Sequence, residues 1–282
     1  MKRNKSFTNN ENLLYLIATP IGNLEEFSPR AIRIVLQCDI VAAEDTRNSK
    51  QLLSNFSIHK EMFSLREHNE KEASLYLINQ IKNGKKVVYM SDAGYPCISD
   101  PGYILVKECL ANDINVSCVS GSSAFINALV GSGLDTSHFT YYGFLPIKQN
   151  EALEALNFLK PYKNTLIFYE SPHRIIETLK TISSVLGDRK AVIGRELTKI
   201  NEEFIRGNLN ELIEIDPTTL KGEMVIIVEG NMSEEDINLD NLKEQYDYLI
   251  NKNISNKDAV DILSHLLKIK KNVIKDLTIK KN

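Results

Sequence analysis

Most of the residues in this chain that could do chemistry fall in six short stretches. They are TPIGNLEEFSP from Thr19, AEDTRNS from Ala43, SDAGYPCISDPGY from Ser91, SGSSA from Ser120, YESPHR from Tyr169 and GRELTK from Gly194. Each follows an apolar run that reads as a β-strand. All combine Gly, Pro, Ser or Thr, which permit tight backbone, with interspersed carboxylates or hydroxyls. Backbone N–H groups at such turns and at helix N-termini can hold a polar ligand. In an open α/β sheet, ligands bind beyond the carboxyl ends of the strands, where these stretches sit.

Several kinds of site are disfavoured. No G-x-G-x-x-G follows the first strand and no lysine-bearing phosphate loop is present, which argues against a dinucleotide or a nucleoside triphosphate. Ser122 and Ser123 have no evident partner base and read as helix N-caps and backbone contacts rather than nucleophiles. Cys38, Cys97, Cys109 and Cys118 show no C-x-x-C spacing and no nearby His cluster, so neither a zinc site nor a redox pair is expected. Cys38, Cys109 and Cys118 read as core thiols. The 282 residues are 43% hydrophobic and 25% charged, an ordinary globular balance. A net charge of −3 gives no global basic field. The opening MKRNKSFTNNEN is polar without an apolar signal segment, and no apolar run reaches membrane-spanning length. A cytoplasmic, reduced protein is expected.

The elements that must position these loops alternate regularly. Strands are expected at 13–19, 39–43, 62–65, 86–90 and 116–119, with helices at 29–37, 70–81, 101–110 and 122–130 between them, and another opening after the second strand. This β-α alternation implies a mostly parallel, doubly wound sheet. After GSGLDTS at 131–137, which reads as a domain linker, the pattern changes. Strands at 139–145, 165–170, 191–196, 201–206 and 224–229, with helices at 151–159 and 174–185, suggest a mixed, partly antiparallel second sheet. Helical segments at 235–250, 257–267 and 273–279 follow. The expected divisions are a polar extension at 1–12, α/β domains at 13–134 and 138–232, and a helical region at 235–282.

LYLIATPIGNLEEFSPRAI, AAEDTRNSKQLL, REHNE, SDAGYPCISDPGY, TLIFYESPHRI, GRELTK and KGEMVIIVEG occur in this order. Together they resemble the bacterial small-subunit ribosomal-RNA methyltransferases of the tetrapyrrole-methylase superfamily. The resemblance covers about residues 13–230 and extends to the C-terminal NISNKDAVDILSHLLKIKKNVIKDL. It implies two α/β domains with a cofactor cleft between them, a small helical tail and S-adenosylmethionine as methyl donor. The implied substrate is 16S rRNA in the small subunit, at the ribose 2′-hydroxyl of cytidine 1402. A homodimer is also implied, and no metal is expected. By the same resemblance the cofactor is bound by Thr19, Pro20, Ile21, Gly22, Asp92, Ala93, Gly94, Ile98, Ser122 and Ser123, joined by Tyr169, Gly222, Glu223 and Met224 from the second domain. The chain departs from the family pattern at Tyr95, where Thr or a smaller residue is usual, and at Ser120–Gly121–Ser122, where Pro-Gly-Pro is usual. Both positions are expected to face the cofactor.

Methyl transfer to a hydroxyl needs alignment and is helped by a general base. The base or orienting candidates are Glu44, Asp45, His68, Glu170 and Glu196. Each has a plainer reading. Glu44 and Asp45 can cap the next helix and pair with Arg47, His68 can be a loop or cap residue, and Glu170 and Glu196 can pair with Arg174 and Arg195. Arg47, Arg174 and Arg195 can instead hold RNA phosphates. Tyr141 and Tyr142 read as core or dimer aromatics. From Lys252 onward there are eight Lys against three Asp. Lys268, Lys270, Lys271 and Lys275 are therefore either a solvated helix face or an RNA anchor. Two alternatives to RNA methylation stand beside it: the same fold acting on a tetrapyrrole or protein acceptor, and a ribosome-associated protein that no longer methylates.

Overall fold

The strands β1 (Leu13–Ile17), β2 (Ile40–Ala43) and β4 (Val87–Met90) are short, apolar and almost wholly buried, as central strands of a parallel sheet must be. The computed structural model describes residues 13–232, 239–267 and 270–279. The expected extension at 1–12 lies outside them. With β3 (Glu61–Ser64) and β5 (Asn115–Val119) at its edges, the first sheet runs β3-β2-β4-β1-β5, all parallel.

Alternate residues face opposite layers. Leu14, Leu16, Ile40, Ala42, Val87 and Tyr89 pack under α3 (Glu70–Lys82) and α4 (Tyr103–Ala111). Ile17, Val41, Val88 and Met90 pack under α1 (Pro29–Gln37) and α2 (Thr46–Ser54). The strand order explains this split. The connections from β1 to β2 and on to β3 move one way across the sheet, while those from β3 to β4 and on to β5 move back. Right-handed crossovers then put the two helix pairs on opposite faces. The connections leave the adjacent strands β1 and β4 in opposite directions, which opens a crevice at their carboxyl ends.

The second sheet holds β6 (Phe139–Phe144), β7 (Thr165–Glu170), β8 (Lys190–Arg195), β9 (Glu203–Asn208) and β10 (Met224–Val228) in the order β6-β7-β10-β8-β9. Only β6 and β7 pair in parallel. One face packs on α6 (Gln149–Leu159), α7 (Ile175–Leu186) and the short α8 (Leu209–Ile213). The sequence reading passed over α8, whose five residues are too few for a visible period. A reciprocal cap holds it, with the Asn208 N–H donating to Glu211 Oε2 at 2.7 Å.

The opposite face of this sheet is covered by α5 (Ala124–Ser132), whose Ala128 and Leu129 pack on Ile167, Val192, Val225 and Ile227. This helix follows the last strand of the first sheet yet serves the second. The chain therefore changes sheets at Ser122–Ser123, before the glycine-rich segment at 131–137.

Both sheets belong to one compact unit ending at Asn231, and the remainder forms another. In the latter, α9 (Leu239–Asn251), α10 (Asn256–Leu267) and α11 (Lys271–Ile279) share a small core of Leu242, Val260, Leu263 and Ile274. Ser255 opens α10, accepting the Asp258 N–H at 3.2 Å and donating its hydroxyl to the Asp258 carboxylate at 2.7 Å.

Candidate active site

A cavity of about 500 Å³ lies between the carboxyl end of the first sheet and the second sheet. From the first come Ile21, Ala93–Asp100 in part and Ser123–Phe125; from the second come Phe144, Tyr169–Pro172, Glu196, Leu197, Lys199 and Gly222–Val225.

Backbone pairing builds the first wall. Thr19 and Gly94 exchange N–H···O bonds of 2.8 and 3.1 Å, joining the ends of β1 and β4. The Ser91 hydroxyl closes the same turn by donating to the Gly94 carbonyl at 3.0 Å, and the Thr19 hydroxyl donates to the Ser91 carbonyl at 3.2 Å.

The following loop is strained and pinned. Cys97 and Ser99 adopt left-handed backbone, with φ of 71° and 61°. Ser99 Oγ and Tyr141 Oη lie 2.7 Å apart, tying this loop to the second sheet. The Tyr89 hydroxyl donates to the Pro101 carbonyl at 2.7 Å. Gly102, at φ 126°, has no room for a side chain, because a Cβ would stand 2.5 Å from the Tyr89 ring and 2.7 Å from Cys97 Sγ. Glu70, buried at the start of α3, accepts the N–H groups of Gly102 and Ile104 at 2.9 and 2.8 Å. The sequence reading assigned Glu70 no role, although it closes the REHNE motif.

The second wall carries a charged cluster and an aromatic one. Glu196 sits in left-handed backbone at φ 48° and accepts from Lys199 Nζ at 3.0 Å and from the Glu223 N–H at 3.1 Å. Lys199 also pairs with the Glu223 carboxylate at 3.0 Å. The Lys199 bond holds the Glu196 carboxyl below its ordinary range. Gly222 beside it adopts left-handed backbone at φ 84°, which favours glycine. Phe125 stacks on Tyr141 at 4.5 Å, and Tyr169 meets Tyr141 edge-on at 5.3 Å. Burial raises the affinity of Tyr169 and Tyr141 for their protons. Tyr141 thus packs on the core beside two lining residues, Phe125 and Tyr169, while Tyr142 tilts against Phe168 at 6.0 Å.

Among the residues expected to bind the cofactor, Ile21, Ala93, Gly94, Ile98, Ser123, Tyr169, Gly222, Glu223 and Met224 line the cavity. Thr19, Pro20, Gly22, Asp92 and Ser122 are not part of that lining. Ser122 is buried and donates its hydroxyl to the Glu26 carboxylate. Ser123 takes the N-cap position of α5, but its side chain makes no capping bond there. Tyr95 lines the cavity and accepts the Gly121 N–H at 3.2 Å. The two departures from the family pattern therefore meet: the Tyr95 hydroxyl holds the turn that contains Ser122.

The base candidates separate by their partners. Asp45 caps α2 and accepts three bonds from Arg47, at 2.8 Å from the backbone N–H and 3.0 and 2.6 Å from the guanidinium, which lower its proton affinity. Glu170 is buried and committed, accepting from the Ser171 N–H at 2.7 Å and the Thr178 hydroxyl at 2.6 Å, with the Arg174 guanidinium at 3.5 Å. Arg174 also donates to the Leu145 and Pro146 carbonyls. The expected Glu196–Arg195 pair does not form: Arg195 turns to Glu203 at 2.6 Å and to the Lys221 carbonyl at 3.1 Å, and Lys199 takes Glu196. His68 lies exposed on the 3₁₀ turn Glu67–Asn69. Glu44 is partly buried and accepts no hydrogen bond on its carboxylate among the described residues; burial, then Asp92, raises its proton affinity.

Asp100 is one of the site residues that sequence reasoning missed. It lines the cavity and receives no hydrogen bond among the described residues. Burial, then Glu44 and Asp92, pushes its carboxyl up to about 7. Its place in SDPG reads as a helix start, so no local signal separates the two roles.

Cys38 and Cys109 are core thiols as expected, but Cys118 is exposed, because β5 is a sheet edge and alternate residues there face outward. In the helical unit Lys270 is exposed, and Lys271 pairs with Asp261 at 2.8 Å. Lys275 adds to the positive field on Asp261. Lys268 lies outside the described residues, as do Lys280 and Lys281. Among the described residues no group of His, Cys, Asp or Glu is gathered for a metal ion, and no helix is long and apolar enough to cross a membrane.

Residues 13–213 match the tetrapyrrole (corrin/porphyrin) methylase family. A ribosomal RNA small subunit methyltransferase I of Halalkalibacterium halodurans is 46% identical, covering 82% of this chain and 81% of its own. Its counterpart in Escherichia coli O157:H7 is 39% identical over 97% of both chains. Among solved structures, diphthine synthase superposes with a TM-score of 0.59 at 15% identity, covering 77% of this chain and 89% of its own. A cobalt precorrin-4 methyltransferase does so with a TM-score of 0.56 at 16% identity, covering 77% and 94%. The chain belongs to the tetrapyrrole methylase family, among its ribosomal RNA small subunit methyltransferase I members.

Proposed function

We infer that this chain is an S-adenosylmethionine-dependent methyltransferase of the small ribosomal subunit, methylating the ribose 2′-hydroxyl of a cytidine in 16S rRNA. One observation carries the reading beyond family membership: Asp100, a carboxylate that receives no hydrogen bond among the described residues, faces a cavity of about 500 Å³ walled by backbone, aliphatic and aromatic groups. That volume suits a nucleoside-sized cofactor, and an uncommitted carboxylate suits its positive charge. When bound, S-adenosylmethionine supplies an activated methyl on a cationic sulfur that departs neutral.

In this reading the chain's own residues bind and orient. The turns at Thr19–Gly22, Asp92–Gly94 with Ile98, Ser122–Ser123 and Gly222–Met224 hold the cofactor, and Tyr169 closes the pocket from the second sheet. RNA phosphates fall to Arg47, whose side chain is 85% exposed, and to the lysines of the helical unit. Arg174 and Arg195 are occupied inside the protein. No step needs a metal, since the leaving sulfur carries no charge to stabilise. A homodimer is supported by exposed apolar groups on the edge strand β6, at Phe139, and on α5, at Ile126 and Val130. An rRNA substrate is consistent with a cytoplasmic site of action.

The test is methyl transfer from labelled S-adenosylmethionine to 30S subunits lacking the modification, with the product nucleotide located by mass spectrometry. A 2′-O-methylcytidine in 16S rRNA is expected. Transfer only to a tetrapyrrole or protein acceptor, or none, would overturn the reading.

A further inference from the structure

We propose that Glu44 is the catalytic base of this transfer, accepting the ribose 2′-hydroxyl proton, and that Asp92 and Arg66 are the positioning residues that hold it. The proposal rests on the function inferred above and assigns the one role that reading leaves open.

Elimination among the carboxylates carries it first. Four carboxylates line the cavity: Asp100, Glu170, Glu196 and Glu223. Glu170 and Glu196 are saturated by their own neighbours, and Glu223 is held by Lys199. Asp100 lines the cavity proposed for the cationic cofactor, and an adjacent positive charge there would make its carboxylate a poorer base. Asp45 is locked to Arg47. Glu44, which stands outside that lining, has a carboxylate that accepts no hydrogen bond among the described residues.

Geometry carries it second. In the sheet register Ala43 pairs with Met90, so Glu44 emerges level with Ser91, directly before Asp92, Ala93 and Gly94. Its backbone is fixed while its carboxylate is not. Arg66 Nε donates to the Glu44 carbonyl at 3.1 Å, and the Leu65 N–H donates to the Ala43 carbonyl at 2.8 Å. The Asp92 carboxylate staples the turn to the cleft, accepting the Asp45 N–H at 3.2 Å and the Asn48 side-chain amide at 2.8 Å. A fixed backbone with an uncommitted functional group is the arrangement a positioned base requires.

The charges around Glu44 suit the role. Asp45 and Arg47 share its turn. Asp92, Asp100 and Tyr89 belong to β4 and its loop, and Arg66 and His68 to the loop after β3. Burial and Asp92 strengthen the carboxylate's hold on a proton, and Arg66 opposes them.

The step balances. The ribose oxygen bonds to the methyl carbon as the carbon–sulfur bond breaks and sulfur keeps that electron pair. The hydroxyl proton moves to a Glu44 oxygen, leaving a methyl ether, a neutral thioether and a neutral carboxylic acid, which then returns its proton to solvent.

The experiment compares wild type, Glu44→Gln and Glu44→Asp in three measurements: cofactor affinity by calorimetry, 30S affinity by sedimentation, and single-turnover transfer against pH. For Glu44→Gln, both affinities should stay within about three-fold of wild type while transfer falls about 100-fold or more. The wild-type rate should rise with pH to a plateau, and the Gln variant should lose that acid limb. Glu44→Asp should keep the limb at a reduced rate. Asp92→Asn should move the limb to lower pH without abolishing it. The Glu44 carboxyl, followed by carbon-13 NMR in cofactor-free protein, should titrate above an ordinary glutamate. Transfer by Glu44→Gln within about ten-fold of wild type, a rate loss matched by lost 30S affinity, or an ordinary titration would overturn the assignment while leaving the methyltransferase reading intact. Failure of the wild type to methylate 16S rRNA would instead overturn that reading, and this one with it.

Discussion

Glu70 and Gly102 are joined by a 2.9 Å hydrogen bond from the glycine N–H to a buried carboxylate that also holds the Ile104 N–H. The first residue of α3 thereby satisfies the N-terminus of α4, where a negative charge is favoured. The bond links REHNE to the loop that presents Asp100. Replacing Glu70 by Ala orphans these buried donors and should cost about 3 kcal/mol of stability. Glu70→Gln, which keeps an acceptor oxygen, should cost about half as much. Urea unfolding measures both; a loss below about 0.5 kcal/mol for Ala would show that the cap is dispensable.

Asp100 gives the cofactor site a pH dependence with a defined sign. Its carboxyl is pushed up to about 7, first by burial. Below that pH it is protonated and cannot attract a cation, so affinity for S-adenosylmethionine should rise between about pH 6 and 8 and then level. Stability of the cofactor-free protein runs the opposite way. The folded carboxyl binds its proton more tightly than the unfolded one, so this contribution falls as pH rises from about 4 through about 7. Asp100→Asn should weaken cofactor binding at pH 8 by about ten-fold, remove the rise with pH, and flatten the stability profile. Calorimetry and thermal unfolding across that range test it; an unchanged affinity profile would remove Asp100 from the site.

Tyr95 departs from the family pattern but has found a partner in the Gly121 N–H. Tyr95→Phe keeps the ring and loses the bond, which should lower stability by about 1 kcal/mol and change cofactor affinity by less than about five-fold. A larger loss of affinity would mean that the hydroxyl itself meets the cofactor.

The helical unit should contribute to RNA binding electrostatically. Replacing Lys270 and Lys271 by Ala should weaken 30S binding most at low salt. The slope of log affinity against log salt should become shallower by about one for each phosphate no longer neutralised. Cofactor affinity should not change. Sedimentation at several salt concentrations gives the slope, and an unaltered slope would make these lysines a solvated face.

What the sequence by itself determined was the order and kind of the elements. The apolar runs at 13–17, 40–43 and 87–90 are short and uninterrupted, and helices such as Pro29–Gln37 carry their own start signals in Ser28 and Pro29. These are local properties, set by burial period and capping chemistry, and they survive without knowledge of the fold. The site loops were legible for the same reason, since Gly, Pro and Ser mark where strands end. Only the tertiary structure decided which side chains are free. Glu170, Glu196 and Asp45 look alike as loop carboxylates, but their partners arrive from Thr178, Lys199 and Arg47, and the last two lie in the same turns, where sequence permits several pairings. Asp100 reads as a helix start and Glu70 as part of a charged helix, because the cavity facing one and the helix capped by the other are assembled from distant segments. Likewise α5 follows the first sheet in sequence and packs on the second, a choice made by the apolar face available to cover it. Bond partners and cavities depend on long-range packing, which a local pattern does not encode.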